Sequence, residues 1–353
     1  MTVKTSPVGK PLDRVDGPMK VQGQAKYAGE FPLPGLLYGH IVNSTIARGR
    51  ILHIDTRAAQ AVPGIEAVLT HENRPPIASY DKPYEDDDAA DGSPFRPLFN
   101  DRILYNSQPI ALVVGESLEL ARYAASLIKV EYETEEHATD LLTNLDQMST
   151  APADLPGPRG DAKQALNNAA VKVEVQYTTP VEHHNPMEPH ASTVHYLPDG
   201  TLEVYDKTQG VQNCMRYLED VFDMEGQIRI LTPFVGGAFG SGLRPQHQLP
   251  LAVMAALKLK RSVRVSFARQ QMFTFGYRPR SIQRLTIGAS SDGQLQAIYH
   301  QAIAQTSRFE EYTEQEVEWS GMLYKCPNVT LDYQLVPLDV YTPLDMRAPG
   351  GTI

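Results

Sequence analysis

Short β-rich runs separated by turn residues fill the first third of the chain, and such a pattern requires strands that pair into sheets. One helical pattern interrupts them: residues 117–128 begin with Ser117, a good N-cap residue, and place their apolar side chains on one face. A further β-rich run, 129–132, follows this helix directly. The strand–helix–strand unit and the β-hairpins predict a compact α/β or α+β module over residues 20–135, after an N-terminal arm of residues 1–19. Its strands are predicted at residues 37–42, 65–69, 110–114 and 129–132.

A second region follows residues 136–165, which are rich in proline, lack periodicity and therefore predict a linker. Residues 171–179 (VKVEVQYTT) alternate with a period of two, which is typical of a strand. The region 166–353 then mixes strands with two amphipathic helices, so the chain as a whole is predicted to be an α+β protein. Further strands are predicted at residues 193–196, 202–205, 228–232 and 263–267, and the helices at 213–223 and 249–259.

Charge and cysteine content exclude several functions. The formal net charge is −10 with no cluster of Lys and Arg, so the field that gathers nucleic acid is missing and we expect no nucleic-acid partner. The acidic run within residues 85–97 predicts a solvated loop, to which we assign no function. The two cysteines, Cys214 and Cys326, are so widely spaced that they cannot by themselves supply a zinc site or a 2Fe-2S cluster, so we expect reduced, buried thiols.

Hydropathy gives no sign of a membrane protein. No apolar run approaches the ~20 residues of a membrane span, and the first residues contain no apolar core of signal-peptide length. We therefore expect no membrane span and a cytoplasmic protein, or a periplasmic one if a signal-bearing partner exports it.

The glycine-rich sequence VGGAFGSG, residues 235–242, follows a predicted strand. Its four glycines permit positive φ and close backbone approach, so that consecutive N–H groups can face an anion or an oxo ligand. Its spacing matches neither the dinucleotide fingerprint nor a Walker A loop. Two shorter motifs accompany it: TQG at 208–210, where Gln209 can donate an amide N–H, and MRAPGG at 346–351, where Arg347 precedes a Pro-Gly turn. Each of these alone is also compatible with a purely structural turn.

Residues 183–192 (HHNPMEPHAS) have two interpretations. Three histidines and a glutamate carry nitrogen and oxygen atoms suited to a metal such as zinc. Pro186 and Pro189 forbid a helix here, so the histidines cannot share one helical face as they do in a zinc protease. A rigid loop whose polar side chains bind one another or the backbone is the favoured interpretation. The candidate ligands are His183, His184, Glu188 and His190.

Taken together and in this order, the motifs resemble the molybdenum-binding large subunits of the xanthine oxidase and aldehyde oxidoreductase family, especially its bacterial aldehyde oxidoreductase-like members. Residues 9–31 and 107–133 resemble the family's N-terminal hammerhead domain. NPMEPHAS, TQG, GGAFG and MRAPG resemble successive motifs of its molybdenum-cofactor-binding domain. The resemblance implies a hammerhead-type α/β domain at 20–135, followed by the first, incomplete part of a cofactor-binding α+β domain at 166–353.

The resemblance also implies a site and a reaction. Gln209 would lie beside the oxo or sulfido ligands of molybdenum, and the backbone of Gly237, Phe239 and Gly240 would approach the cofactor. Arg347 would contact cofactor and substrate at the edge of the pocket. The implied cofactor is a molybdenum–molybdopterin cytosine dinucleotide, whose metal the protein does not ligate directly. The implied reaction is hydroxylation of a small-molecule aldehyde or aromatic heterocycle, with oxygen from water and hydride transfer to the molybdenum centre.

This sequence departs from the family pattern in two places. Leu243 stands where purine-oxidising relatives place a glutamate, which implies a pocket for an aldehyde or another apolar substrate. The family's general-base glutamate belongs to a segment that these residues do not include, so we assign no catalytic residue. Either a separate polypeptide carrying the C-terminal half completes the enzyme, or the chain is a truncated, noncatalytic remnant or binding module. Electrons would leave through 2Fe-2S clusters and FAD in an iron–sulfur subunit and an FAD subunit.

Overall fold

The computed structural model of the chain describes residues 8–77, 97–273, 275–310 and 312–352. Residues 85–96 of the acidic run predicted as a loop lie outside these ranges.

The described residues form strands and helices in the following order. The strands are β1 (Leu37–Asn43), β2 (Gly49–Asp55), β3 (Ile65–Thr70), β4 (Arg102–Ile103), β5 (Pro109–Gly115), β6 (Lys129–Thr134), β7 (Ser149–Thr150), β8 (Val171–Thr179), β9 (Glu182–His183), β10 (Ala191–Tyr196), β11 (Leu202–Asp206), β12 (Ile228–Leu231), β13 (Val263–Ser266), β14 (Tyr277–Arg278), β15 (Ser281–Ala289), β16 (Leu295–Ser307) and β17 (Asn328–Leu338). The α-helices are α1 (Gly17–Val21), α2 (Arg57–Gln60), α3 (Leu118–Ser126), α4 (Ala162–Asn168), α5 (Val211–Phe222), α6 (Gln248–Leu259) and α7 (Glu318–Met322), and 3-10 turns cover Ala28–Glu30, Leu145–Gln147 and Arg269–Phe273.

The largest sheet contains strands from both predicted regions. Its order is β12-β11-β10-β13-β1-β5-β3. β1 from the first region pairs in parallel with β13 from the second, with Leu37 opposite Val263 and Gly39 opposite Val265. The largest hydrophobic cluster among the described residues packs on this sheet and draws side chains from both regions. The two regions are therefore joined by backbone hydrogen bonds as well as by the chain.

Helix α6 lies in the centre of this core because it is apolar on all sides, which is the pattern of a fully buried helix. Leu249, Leu251 and Val253 are completely buried, and the helix packs on β10 and β13. α5 adds Cys214 to the same core. Both cysteines are buried free thiols, as predicted.

The helix predicted in the first region is α3. Its N-cap is Ser117, whose hydroxyl oxygen accepts a hydrogen bond of 3.2 Å from the backbone N–H of Leu120. The buried residues Ala121, Ala124 and Ala125 face β1 and β5, and small side chains there let the helix lie close to the sheet. The structure adds two short helices, α1 and α2, where the pattern predicted a single helix.

A second sheet of five strands has the order β7-β17-β16-β15-β8, and the sequence predicted only β8 of these. The missed strands carry buried polar residues, including Gln283, His300 and Gln305, which obscure the alternation of apolar and polar positions. Two smaller sheets, β4-β2-β6 and β14-β9, complete the strand pairing among the described residues.

Residues 136–165, predicted as a linker, pack along this second sheet. Leu141 is completely buried in a cluster with Ile282 and Ile303, and β7 pairs with β17. The division predicted at residue 165 falls inside α4, whose N-cap Asp161 accepts a 2.8 Å hydrogen bond from the N–H of Gln164. The segment is thus ordered protein structure, and the exact domain limits stay a prediction.

Candidate functional site

The glycine-rich turn, residues 235–242, connects β12 to α6. Its backbone has positive φ at Gly237 (89°), Phe239 (59°) and Gly240 (107°). A Cβ atom at Gly240 would overlap the backbone oxygen of Asp345 and lie 2.8 Å from its carbonyl carbon. Only glycine permits this approach, which brings the turn against the segment that carries the arginine motif.

Gln209 is bound to this turn at three points. Its side-chain oxygen accepts hydrogen bonds from the backbone N–H groups of Gly240 (3.0 Å) and Gly242 (3.3 Å). The backbone N–H of Gln209 donates to the backbone oxygen of Gly242 (2.8 Å). The side chain is exposed, and its amide nitrogen has no hydrogen-bond acceptor within the described residues. Because the oxygen is held, the amide N–H groups face outward and are available to a ligand oxygen.

Arg347 joins the turn from the other side. Its backbone N–H donates a 2.9 Å hydrogen bond to the oxygen of Phe239, while its guanidinium is exposed and forms no ion pair with any residue in the described ranges. The Phe239 side chain is 47% exposed beside it. Leu243, half-buried, donates its N–H to the oxygen of Gly240 at 3.0 Å. The residues predicted from separate motifs therefore meet on one surface, although their roles stay predictions.

Two side chains of the histidine-rich segment hold the ends of the turn. Glu188 accepts a 2.6 Å hydrogen bond from the N–H of Gly236, and His190 lies 3.0 Å from the hydroxyl oxygen of Ser241. Burial raises the pKa of Glu188 and lowers the pKa of His190 well below its ordinary value. His190 is therefore neutral at physiological pH and acts as a hydrogen-bonding support.

The other two histidines have separate surroundings. The ring nitrogens of His184 lie 2.8 Å from the oxygen of Asp345 and 3.1 Å from the oxygen of Gly276. Burial lowers the pKa of His184 more than these carbonyl groups raise it. The ring of His183 packs edge-on against Phe273, with centroids 5.1 Å apart. Two of the four side chains, those of His184 and Glu188, thus bind the backbone of neighbouring loops, in keeping with the structural interpretation of this segment.

Direct metal coordination by the protein finds no support in this arrangement. In the part of the chain that the structure describes, no group of three His, Cys, Asp or Glu side chains is placed to hold a metal ion.

Lys207, which sequence reasoning missed, lies behind the turn. Its ammonium nitrogen is 3.2 Å from His190, and the residue is 1% exposed. Burial lowers its pKa to about 8, so it still carries a positive charge near pH 7. Burial also raises the pKa of the adjacent Asp206 to about 6. The only sequence signal for this residue was a lysine at the end of an alternating strand.

The donors at this surface suit an anionic group rich in oxygen. They are the outward amide of Gln209 and the exposed guanidinium of Arg347, and the buried charge of Lys207 lies behind them. These groups bind by hydrogen bonds and charge rather than by coordinating a metal. A molybdopterin, which supplies its own metal ligands, fits this set of residues.

Comparison with protein families gives the class of the protein. Residues 148–353 match the molybdopterin cofactor-binding domain, and residues 22–136 match the a/b hammerhead domain of aldehyde oxidase and xanthine dehydrogenase. The chain belongs to the molybdenum-binding large subunits of the aldehyde oxidase and xanthine dehydrogenase family. The resemblance and the fold class predicted from the motifs are confirmed.

Individual relatives show which members of the family are similar to this chain. The aldehyde oxidoreductase molybdenum-binding subunit PaoC of Escherichia coli (strain K12) is 36% identical over 350 residues, which cover 97% of this chain and 46% of PaoC. The nicotinate dehydrogenase large molybdopterin subunit of Eubacterium barkeri is 27% identical over 93% of this chain and 78% of its own length. The chain thus spans about half the length of relatives such as PaoC.

Solved structures share the fold. Quinoline 2-oxidoreductase from Pseudomonas putida 86 aligns with a TM-score of 0.81 and 21% identity over 98% of this chain and 46% of that one. Aldehyde oxidoreductase from Desulfovibrio gigas aligns with a TM-score of 0.76 and 22% identity over 96% and 39%. Within the described ranges, none of the helices has the length and apolar character needed to cross a membrane.

Proposed function

We propose that this chain is the molybdenum-cofactor-binding part of a hydroxylase that oxidises an aldehyde or an aromatic heterocycle. The observation that carries the proposal is the orientation of Gln209. Two backbone N–H groups of the glycine-rich turn hold its oxygen, so its amide donors face the surface where Phe239 and Arg347 meet. The relatives support the reaction class, because PaoC is named an aldehyde oxidoreductase subunit.

The cofactor in this proposal is a molybdenum–molybdopterin cytosine dinucleotide, which supplies the two-electron oxidation of the substrate carbon when it is bound. Gln209 donates an amide hydrogen bond to an oxygen of this group. The backbone of Gly237, Phe239 and Gly240 would let the group approach closely, because the two glycines have no side chain and positive φ at all three positions shapes the turn. Lys207 adds a positive charge behind the turn that favours an anionic ligand.

Arg347 and two apolar residues form the substrate side of the proposed site. The guanidinium of Arg347 binds a polar oxygen of the substrate, which orients the compound. Phe239 and Leu243 present apolar surface to the rest of the compound. Position 243 has no carboxylate to select a ring that donates hydrogen bonds, so an aldehyde fits better than a purine.

Completion of the enzyme needs partners. An iron–sulfur subunit and an FAD subunit would carry electrons away from the molybdenum centre. We place the complex in the cytoplasm, or in the periplasm if a partner exports it. The alternative is a noncatalytic binding module that holds the cofactor without turning over a substrate.

A pull-down of the tagged chain from its native cells, followed by metal analysis, tests the proposal. Molybdenum and iron that co-purify with the chain would support a hydroxylase. A lone chain with neither metal would support the noncatalytic binding module. One equivalent of zinc without molybdenum would overturn both and favour a zinc site on the histidine-rich segment.

Substitutions test the residue roles in the assembled complex. Gln209→Ala should lower turnover at least about tenfold, because a hydrogen bond to a charged group contributes roughly 1.5–3 kcal/mol. Gln164→Ala, an exposed glutamine at the start of α4, is the matched control and should leave turnover unchanged. Without the iron–sulfur and FAD subunits and without an artificial electron acceptor, the chain should not sustain aldehyde turnover, and sustained turnover under these conditions would contradict the requirement for electron-transfer partners.

A further inference from the structure

A buried arginine, Arg278, holds the backbone of the segment that carries Arg347. Arg278 lies on β14 and is 3% exposed. Its Nη2 group donates hydrogen bonds to the backbone oxygens of Arg347 (2.7 Å) and Met346 (3.3 Å). The backbone of the arginine motif is therefore held by Arg278, which lies 69 positions before Arg347 in the chain.

Two carboxylates orient the Arg278 guanidinium. Glu182, its partner across the β9–β14 pair, accepts from Nη1 at 2.8 Å. Glu314 accepts from Nε at 3.3 Å and also accepts from the backbone N–H of Gly350 at 3.1 Å. The same ion-pair cluster thus binds both ends of the turn between Arg347 and Gly350.

The backbone of this turn is held while the Arg347 side chain is left free. The backbone oxygen of Asp345 forms a hydrogen bond with the ring of His184, and the backbone N–H of Arg347 donates to the backbone oxygen of Phe239. Ala348 has a φ of 56°, a conformation that a residue with a side chain keeps only when its surroundings impose it. The contacts with Arg278 supply that constraint.

We propose that Arg278 is a positioning residue that fixes the backbone from which the Arg347 side chain projects. This deepens the proposed function and rests on it for the contact between Arg347 and substrate. Only a planar guanidinium can reach two carboxylates and two carbonyl oxygens from one position, since a lysine ammonium offers three donors around a single atom. Arg278→Lys therefore keeps the charge and loses part of the geometry.

Hydrogen–deuterium exchange on the chain, with whichever subunits co-purify, tests the positioning directly. Arg278→Lys should speed exchange of the Arg347 and Gly350 amides on the order of tenfold, because the hydrogen bonds that hold this turn weaken. Arg280→Lys is the matched control: it lies two residues away, is half-buried and pairs with Asp140 at 3.1 Å. In this control variant, the amides of Arg347 and Gly350 should exchange at the same rate as in the unsubstituted chain.

A second variant covers the case in which Arg278→Lys does not fold. Glu182→Gln removes one charge from a side chain that is 42% exposed, so it leaves the core intact, and it should speed exchange of the same amides several-fold. Unchanged exchange at Arg347 and Gly350 in the variants that fold would overturn the positioning role.

Kinetics of the assembled complex separate positioning from simple stabilisation. Arg278→Lys should raise the KM for an aldehyde, and the double variant with Arg347→Ala should be no worse than Arg347→Ala alone, because both changes remove one interaction. Additive losses would overturn the proposal that Arg278 acts through Arg347. If Arg347→Ala itself leaves turnover unchanged, the proposed substrate contact fails, whereas the exchange result still decides whether Arg278 holds the turn.

Discussion

Replacement of Gly240 by alanine would test the close approach on which the candidate site depends. The new Cβ would overlap the backbone oxygen of Asp345, so one of the two loops must move by about an ångström. That movement would disrupt two hydrogen bonds, from His184 to Asp345 and from Arg347 to Phe239. With about 1 kcal/mol for each hydrogen bond and roughly 1–3 kcal/mol for the strained backbone, the unfolding free energy should fall by about 3–5 kcal/mol.

Urea unfolding monitored by circular dichroism gives the measurement, and Gly226→Ala is the control. Gly226 also has a positive φ, 70°, but no atom lies within 4 Å of the point that a Cβ would occupy, so alanine there should cost only about 1–2 kcal/mol. Equal losses for the two variants would refute the idea that contact with Asp345 constrains the turn. A loss at Gly240 that exceeds the control by about 2 kcal/mol or more would support it.

Three further predictions concern pH and packing. The pKa of Lys207 is about 8 when folded and 10.5 as its ordinary value, so stability should rise as pH increases from 8 to 10.5, and Lys207→Met should remove that rise in urea unfolding. The pKa of His247 falls from 6.5 to about 3 on folding, so the stability that its neutral ring contributes is lost as pH drops through that interval. His247→Gln, which can still hydrogen-bond Tyr105, should therefore lessen the fall of the thermal midpoint in acid. Leu37→Ala, in the core shared by both regions, should cost about 2–5 kcal/mol in urea unfolding, against less than about 0.5 kcal/mol for Leu52→Ala, which is 64% exposed; similar losses would contradict the shared core.

The local elements were predictable because their signals lie within a few residues. Ser117 caps its helix as predicted, and β8 occupies the predicted residues 171–179. β16 was missed because its buried positions include His300 and Gln305, whose hydrogen-bond partners come from elsewhere in the chain. Periodicity cannot show that a polar residue is buried and paired.

The same distinction between local and distant signals applies to the residues of the candidate site. Motifs identified Gln209 and Arg347, and the structure brings both to the glycine-rich turn. Lys207 and Arg278 were missed because each acts on residues that are distant in sequence, and no short pattern surrounds either one. The supporting residues became visible only when the loops were placed together.

The parallel pairing of β1 with β13 has a consequence for synthesis on the ribosome. At the start of that pairing, the side chain of Arg261 donates a hydrogen bond to the backbone oxygen of Gly35, 226 positions earlier in the chain. At roughly 5–20 residues per second, β1 waits about 10–45 seconds after it emerges before its partner strand is made. During that interval one edge of the nascent sheet is open, and strands from other copies can add to it. Slowing translation upstream of β13 should therefore lower the soluble yield, while chaperones that cover open strand edges should restore it.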